Sequence, residues 1–126
     1  MNDTELNEIV DAWIRGQESK EGTSARDENW WAIERVMDWG FEDKPDLLWR
    51  FILLAYKRDM SDDALSVLAA GPVEDLLAKF EREYIDRVEK LAKEDSRFNY
   101  LLGGVWKSTM TDEVWLRITS IRETVW

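Results

Sequence analysis

The sequence predicts an all-α domain of roughly seven or eight helices. Apolar residues recur at three- and four-residue intervals, no segment longer than a few residues alternates apolar and polar side chains, and β-branched residues are sparse. The length of 126 residues is typical of one domain and suffices to bury a core without a metal or disulfides. Short predicted connections favour antiparallel neighbours. We therefore expect residues 1–126 to form one compact antiparallel helical bundle or a short stack of helical hairpins.

The first two predicted helices are separated by a polar segment. The apolar stripe of the first helix is Leu6, Ile9, Val10, Trp13 and Ile14. Asn2 or Asp3 is available as its N-cap, and residues 16–24, which are polar and contain glycines, predict a mobile loop. The second stripe starts after Ala25 and consists of Trp30, Ile33, Val36, Met37 and Trp39. Gly40 suits a left-handed cap at the end of this helix.

The middle of the chain predicts a buried central helix followed by a short one. Pro45 fits the first turn of the third helix, which is expected to run to about Lys57. Its apolar residues cover most of its sides and are Leu47, Leu48, Trp49, Phe51, Ile52, Leu53, Leu54, Ala55 and Tyr56. Ser61, followed by two aspartates, begins a short fourth helix that Gly71 is expected to close.

Three or four further helices are predicted in the second half. Pro72 opens the next helix, with Leu76 and Leu77 facing inward. A longer helix ending near Asp95 has the stripe Phe80, Tyr84, Ile85, Val88, Leu91 and Ala92. A helical turn at Phe98, Leu101 and Leu102 stops at Gly103-Gly104. Thr111 caps a last helix with the stripe Val114, Trp115, Ile118, Ile121 and Val125.

Composition and net charge exclude several classes of function. Cysteine and histidine are both absent, which excludes disulfides, thiolate or imidazole metal sites, cysteine nucleophiles and histidine acid–base chemistry. The 17 basic and 27 acidic residues give a formal charge of −10, the wrong sign for holding a nucleic acid backbone. We therefore expect no cofactor, no metal and no direct nucleic acid binding, and a basic protein as the partner.

The start of the chain and its apolar runs predict the location. The first residues carry acids where an export signal would carry Lys or Arg, and no apolar stretch approaches the ~20 residues of a membrane-spanning helix. We expect a cytoplasmic protein with no membrane contact.

Several short motifs resemble a known family. The segment from Leu68 to Leu77 reads Leu-Ala-Ala-Gly-Pro-Val-Glu-Asp-Leu-Leu, Trp30-Trp31-Ala32 precedes it, and Leu101-Leu102-Gly103-Gly104-Val105-Trp106 follows it. Together with Ile85, Val88, Glu89, Ala92 and Trp115, these segments are similar to a family of small bacterial proteins known only as a domain of unknown function. The likeness spans about residues 30–115. It implies a shared fold and no assigned activity, and the motif residues also suit a helix junction.

Two carboxylate pairs have spacings that deserve comparison with catalytic sites. Glu74 and Asp75 would suit a metal or acid–base site, but acids in a first helical turn also stabilise the helix dipole, which is the favoured interpretation. Asp86 and Glu89 have the spacing of a Mg²⁺ pair in all-α nucleotide pyrophosphohydrolases. The doubled Glu-Glu-x-x-Glu element of those enzymes is missing. The four basic residues nearby favour a salt-bridged helix face, and they are Arg82, Arg87, Lys90 and Lys93.

The eight tryptophans are the most informative excess in the composition. Those on or beside apolar stripes are expected in the core, and they are Trp13, Trp30, Trp49 and Trp115. Trp31 differs because it lies on a mostly acidic face of the second helix, whose other residues are Asp27, Glu28, Glu34, Arg35 and Asp38. It is either an interface anchor or is covered by the 16–24 loop or another helix. For Trp126 the sequence leaves fraying, docking and partner contact open.

The favoured function is a non-enzymatic, acidic protein-binding domain. We expect an inhibitor or immunity-type protein that occupies a basic partner such as a bacterial toxin, through Asp27, Glu28, Trp31, Glu34 and Asp38. One alternative is a structural or adaptor module that homodimerises through its surplus aromatic surface. Another is a carboxylate-based Mg²⁺-dependent nucleotide hydrolase. Inhibition by mimicry of DNA also stays open.

Overall fold

The computed structural model describes residues 1–126 and contains eight α-helices and no β-strand. The helices are α1 Asp3–Gln17, α2 Ser24–Phe41, α3 Pro45–Ala55, α4 Asp62–Leu68, α5 Glu74–Lys79, α6 Glu81–Glu94, α7 Ser96–Leu102 and α8 Asp112–Ile121. A π-helical turn, Ala69–Val73, joins α4 to α5. The predicted all-α fold class is confirmed. A cluster of 31 buried residues forms the hydrophobic core, and none of the helices is long and apolar enough to span a bilayer.

The first two helices form the most extensive helix pair in the fold. Asn2 caps the start of α1 with its side chain, as predicted. The connection between the helices is residues 18–23, shorter than the predicted loop of residues 16–24, because Gly16 lies inside α1. A Cβ at Gly16 would lie 2.9 Å from Cδ1 of Ile33, so the glycine allows α1 and α2 to approach closely.

α2 buries three of the five predicted side chains, Ile33, Val36 and Trp39. Its buried residues are Asn29, Ala32, Ile33, Val36, Trp39 and Gly40. The prediction that Trp30 and Met37 face the core is wrong, since they are 42% and 44% exposed. Each is one residue away from a buried position, and one residue turns a helix by about 100°. Gly40 is also not a left-handed cap, because α2 continues to Phe41 and the left-handed residue is Asp43, with φ 57°.

α3 is the central helix, as predicted. It packs against α1, α2, α5 and the π turn, and its fully buried residues are Leu48, Phe51, Ile52 and Ala55. The Phe51 ring meets Trp13 of α1 and Trp39 of α2 edge-on, at centroid distances of 5.4 and 6.2 Å. Pro45 opens the helix as expected, but α3 ends at Ala55, two residues before the predicted Lys57.

The junction between α4 and α5 corrects the predicted helix boundary. Gly71 does not close a helix and Pro72 does not open one, because both lie inside the π turn. Leu68 and Glu74 on either side have helical torsion angles, so residues 62–79 form one continuous helical rod. Proline has no N–H to donate, and its ring would clash with the carbonyl four residues earlier. The wider π turn gives the ring room without ending the rod.

Side-chain caps begin the last two helices of the chain. Thr111 caps α8 as predicted, and Asp95, predicted only as the end of the preceding helix, caps α7 by accepting hydrogen bonds from the N–H groups of Arg97 and Phe98. Trp49 and Trp115 pack partly buried against the core. Val125 does not extend the stripe of α8, because the helix ends at Ile121 and Val125 is 68% exposed.

Residues 122–126 turn back across α7. The buried Asn99 holds this segment by donating to the carbonyl of Ile121 and accepting from the Glu123 N–H at 2.9 Å. Trp126 is docked: its Nε1 donates to the Tyr100 carbonyl at 2.7 Å, and its ring stacks on the Tyr100 ring at 5.4 Å. A Cβ at Gly104 would lie 2.6 Å from the Trp126 ring, so this glycine makes room for the indole.

Candidate protein-binding surface

The structure brings the predicted site residues together on α2. Asp27, Glu28, Trp31 and Glu34 are exposed, and Asp38 is partly buried. Four of the five recur at intervals of three and four residues and so form one stripe that points away from the core; Glu28 lies at its edge. We call these five residues the outer face of α2.

Trp31 is not a core residue. Its side chain is 46% exposed, so neither the 18–23 connection nor another helix covers it fully. The Arg35 guanidinium lies 5.8 Å from the centre of the indole ring. At an exposed site such a contact contributes about 0.5–1 kcal/mol. The indole therefore has one cationic neighbour and an open surface available to another molecule.

The carboxylates of the outer face have no ion-pair partners within the chain. Every salt bridge of the structure lies elsewhere. Residues 18–43 contain eight acidic and three basic residues, so this segment carries about half of the net charge of −10. A partner would meet a concentrated net negative charge here, carried by carboxylates that no ion pair neutralises.

Sequence reasoning missed the exposed apolar side chains beside the outer face. Trp30 is 42% exposed, Met37 44% and Phe41 80%. The Arg26 guanidinium lies 5.6 Å from the Trp30 ring centre, and the Lys79 ammonium lies 4.4 Å from that of Phe41. Trp30 and Met37 lie three and four residues from Ile33, and Phe41 lies four residues after Met37, so helical spacing alone does not separate these side chains from the core stripe. α2 thus combines aromatic and acidic surface.

A narrow slot lies between α1, α2 and the π turn, and we call it the π-turn slot. Its volume is about 120 Å³, and its walls include Trp13, Ile33, Val36, Met37, Val67 and Pro72. Asp75 also lines the slot. Burial raises the pKa of Asp75, and the nearby Lys79 lowers it in part. The wall of the slot is therefore mainly apolar, with the Asp75 carboxylate and the Gln17 side-chain amide as its polar groups.

Glu74 performs a different task from its neighbour Asp75. It is only 8% exposed, and its Oε2 accepts a hydrogen bond from the Trp106 N–H at 3.2 Å, which ties α5 to the loop after α7. Burial raises the pKa of Glu74, more than the Trp106 contact lowers it. Because the rod runs continuously into α5, the Glu74 N–H is already bonded to the carbonyls of Ala69 and Gly71. The predicted helix-dipole role does not account for Glu74.

Asp86 and Glu89 form a salt-bridged face, as predicted, but their main partner comes from another helix. Arg117 of α8 donates from Nε to Glu89 at 2.9 Å and from Nη2 to Asp86 at 2.6 Å. Lys93 adds a longer contact of 3.8 Å to Glu89. The hydrogen bond from Arg117 is the main cause of a lowered pKa at Glu89. No three acidic side chains are grouped closely enough to hold a metal ion.

Comparison with known proteins places the chain in a family. The model of DUF6869, a family of unknown function, matches residues 19–125. The chain belongs to this family. No curated protein and no solved structure matches the chain.

The DUF6869 match includes the whole outer face of α2 and the π turn, and it excludes all of α1, which ends at Gln17. Nevertheless α1 supplies Trp13 to the π-turn slot and packs along α2. In this DUF6869 chain, the wall of the slot therefore combines residues from within the family match with residues that precede it.

Proposed function

We propose that this DUF6869 protein is a non-enzymatic binding domain that occupies a basic protein partner with the outer face of α2. The observation that carries the proposal is the half-exposed indole of Trp31 among four carboxylates that have no ion-pair partner in the chain. Tryptophan is enriched among the residues that dominate binding energy, and surrounding charges steer a partner of opposite sign.

The chemistry of the outer face defines the partner. An exposed carboxylate is well hydrated and gains little from weak pairing, so the four acids act chiefly on the rate of encounter. The indole, once covered, supplies apolar contact that persists in the complex. A suitable partner has a cationic surface, which attracts the four carboxylates, around an accessible apolar site that contacts the Trp31 indole. An inhibitor or immunity-type protein for a basic toxin is the biological role that fits this chemistry and the net charge of −10.

Two other functions have less support. Homodimerisation through α2 would place two copies of the same uncompensated acidic face against each other, which is unfavourable. A Mg²⁺ hydrolase centred on Asp86 and Glu89 would need those carboxylates free, but the Arg117 guanidinium is hydrogen-bonded to both. The acidic binding domain requires no rearrangement of the fold.

The test is a binding measurement with matched variants. The purified protein serves as bait for the products of adjacent reading frames and for a host lysate, and any partner found is purified for kinetics. We expect Trp31→Ala to weaken binding by about 2 kcal/mol or more. Leu116→Ala on α8 is the matched control, because Leu116 is also apolar and is 65% exposed. Charge reversal at Glu28 and Glu34 should mainly slow association.

Raising the salt concentration should weaken the complex, since exposed charges are screened beyond about 10 Å at 0.1 M ionic strength. A partner whose affinity is equal for wild type and Trp31→Ala, or whose binding is insensitive to salt, would contradict the proposal. Size measurement at several concentrations tests the homodimer separately, because self-association without any other protein would favour it.

A further inference from the structure

The π-turn slot lies next to the outer face of α2 on the same helix. Met37 lies between Glu34 and Asp38 in the sequence, lines the slot and is 44% exposed. Val67 of α4 forms another part of the wall and is 38% exposed. A molecule that covers the outer face and extends past Met37 therefore reaches the slot.

We propose that the π-turn slot receives one apolar side chain of the basic partner, and that an adjacent lysine or arginine of that partner pairs with Asp75. This inference rests on the proposed function, and it adds a second contact point to the outer face of α2. The occupant is a protein segment of stated chemistry: an apolar residue flanked by cationic residues.

The apolar part of the occupant follows from the walls and the size of the slot. Most of the lining is hydrophobic, and the volume is about 120 Å³. An apolar cavity of about 150 Å³ in another protein is enough to bind benzene, so this slot suits a single leucine-sized side chain. An apolar group entering the slot loses water contact without losing any hydrogen bond.

The cationic part of the occupant follows from Asp75. No basic nitrogen lies within ion-pair distance of its carboxylate. Lys79, one turn further along α5, instead places its ammonium over the Phe41 ring. Both side chains border Gly40, where a Cβ would lie 3.3 Å from Asp75 Oδ2 and 3.6 Å from Lys79 Nζ. A cation from outside would thus supply the ion-pair partner that Asp75 lacks within the chain.

The chain itself leaves the slot open at Gly71. Apart from the two adjacent residues and the backbone of the rod itself, no atom lies within 4 Å of the position that a Cβ would occupy there. The glycine has a local role, since a side chain before Pro72 would disfavour the helical conformation that the rod needs. Its consequence is that the surface of the rod has no side chain at this position, and the approach to the slot stays unobstructed.

The experiment uses two synthetic peptides, Ac-Lys-Lys-Leu-Lys-Lys-NH₂ and its alanine counterpart Ac-Lys-Lys-Ala-Lys-Lys-NH₂, titrated into ¹⁵N-labelled full-length protein. We expect the leucine peptide to bind at least fivefold more tightly and to shift the amides of Val67, Gly71 and Asp75. Val67→Phe, which fills the slot, should abolish this preference. Val125→Phe is the matched control at a 68% exposed position and should behave as wild type.

Asp75→Asn supplies a second variant that leaves the shape of the slot unchanged, and it should weaken the leucine peptide severalfold. If wild type binds the two peptides with equal affinity and the amide shifts are confined to the outer face of α2, the proposed role of the slot is refuted, and the proposed function is supported. Shifts at the slot without shifts at the outer face would support the slot and count against the proposed function.

Discussion

Replacing Gly104 with alanine tests the docking of Trp126 directly. The three atoms nearest to the added Cβ all belong to the Trp126 ring, at 2.6, 2.7 and 3.0 Å. These distances are too short for an alanine and a docked indole to coexist. Gly104 does not have a positive φ, so alanine causes no backbone strain there. In the folded state the substitution should therefore act only by displacing Trp126.

The expected cost follows from the contacts that the indole would lose. Stacking on Tyr100 is worth about 0.5–1.5 kcal/mol, and the hydrogen bond from Nε1 to the Tyr100 carbonyl about the same. Replacing glycine also restricts the unfolded chain, which returns about 0.4–1 kcal/mol. We expect Gly104→Ala to lower the free energy of unfolding by about 1–2 kcal/mol.

A double-mutant cycle followed by urea unfolding and far-UV circular dichroism makes the test specific. In a Trp126→Ala background, Gly104→Ala should cost nothing or stabilise slightly, because the clashing ring is gone. Gly103→Ala is the contrast: its Cβ would also lie 2.4 Å from the Thr124 carbonyl oxygen, so removing Trp126 should not rescue it. Additive effects of Gly104→Ala and Trp126→Ala would refute the reasoning.

Three further predictions concern single side chains. Trp31→Ala should change the melting temperature by no more than Leu116→Ala does, because both side chains are exposed. A decrease of about 3 kcal/mol or more in the free energy of unfolding is the cost of truncating a buried aromatic residue, and it would show that Trp31 is part of the core. Because the pKa of Glu74 is raised in the folded protein, its protonated form stabilises the fold below the ordinary carboxyl pKa, and this stability is lost as the pH rises through the raised pKa. Glutamine mimics the protonated form, so in urea unfolding Glu74→Gln should stabilise the protein at pH 7 and not at pH 4. Equal destabilisation at both pH values would contradict this. Arg117→Met should cost about 1–2 kcal/mol by removing two charge-assisted hydrogen bonds, and Arg117→Lys should recover only part of it, since an ammonium lacks the planar fork; full recovery by lysine would show that charge alone matters.

The sequence predicted the features that depend on neighbouring residues in the chain. Ser61 and Thr111 cap their helices because a hydroxyl placed before the first turn can accept a hydrogen bond from an N–H group of that turn. This contact does not depend on residues elsewhere in the chain. Helical spacing likewise identified Phe51, Leu76 and Val88 as buried. These signals act over one or two helical turns and need no knowledge of the fold.

Glycine was the main source of error at helix ends. Gly40 and Gly71 were predicted to end helices, but both lie within helical rods. Gly40 lets Asp75 and Lys79 approach the backbone of α2, and Gly71 lets the helix continue into Pro72. The sequence does not distinguish a glycine that ends a helix from a glycine within a helix at a close tertiary contact, because the contacting residue lies far along the chain.

The candidate surface was predicted in part. The spacing of Asp27, Trp31, Glu34 and Asp38 placed them on one side of α2, which the structure bears out. The exposure of Trp30 was not predictable from spacing, because Trp30 lies three residues before Ile33, an interval typical of residues on the same helix face, and yet it is 42% exposed. The π-turn slot was beyond prediction, since residues from α1, α2, α4, the π turn and α5 form its walls.

The π turn between α4 and α5 also constrains how the length of this chain can change during evolution. A π turn holds one residue more than the α-helical turn it replaces. Deleting a residue within Ala69–Val73 would restore the α-helical repeat but rotate all that follows by about 100°. Leu76 and Leu77 would leave the core and Glu74 would lose Trp106. A deletion here would thus need compensating changes throughout α5.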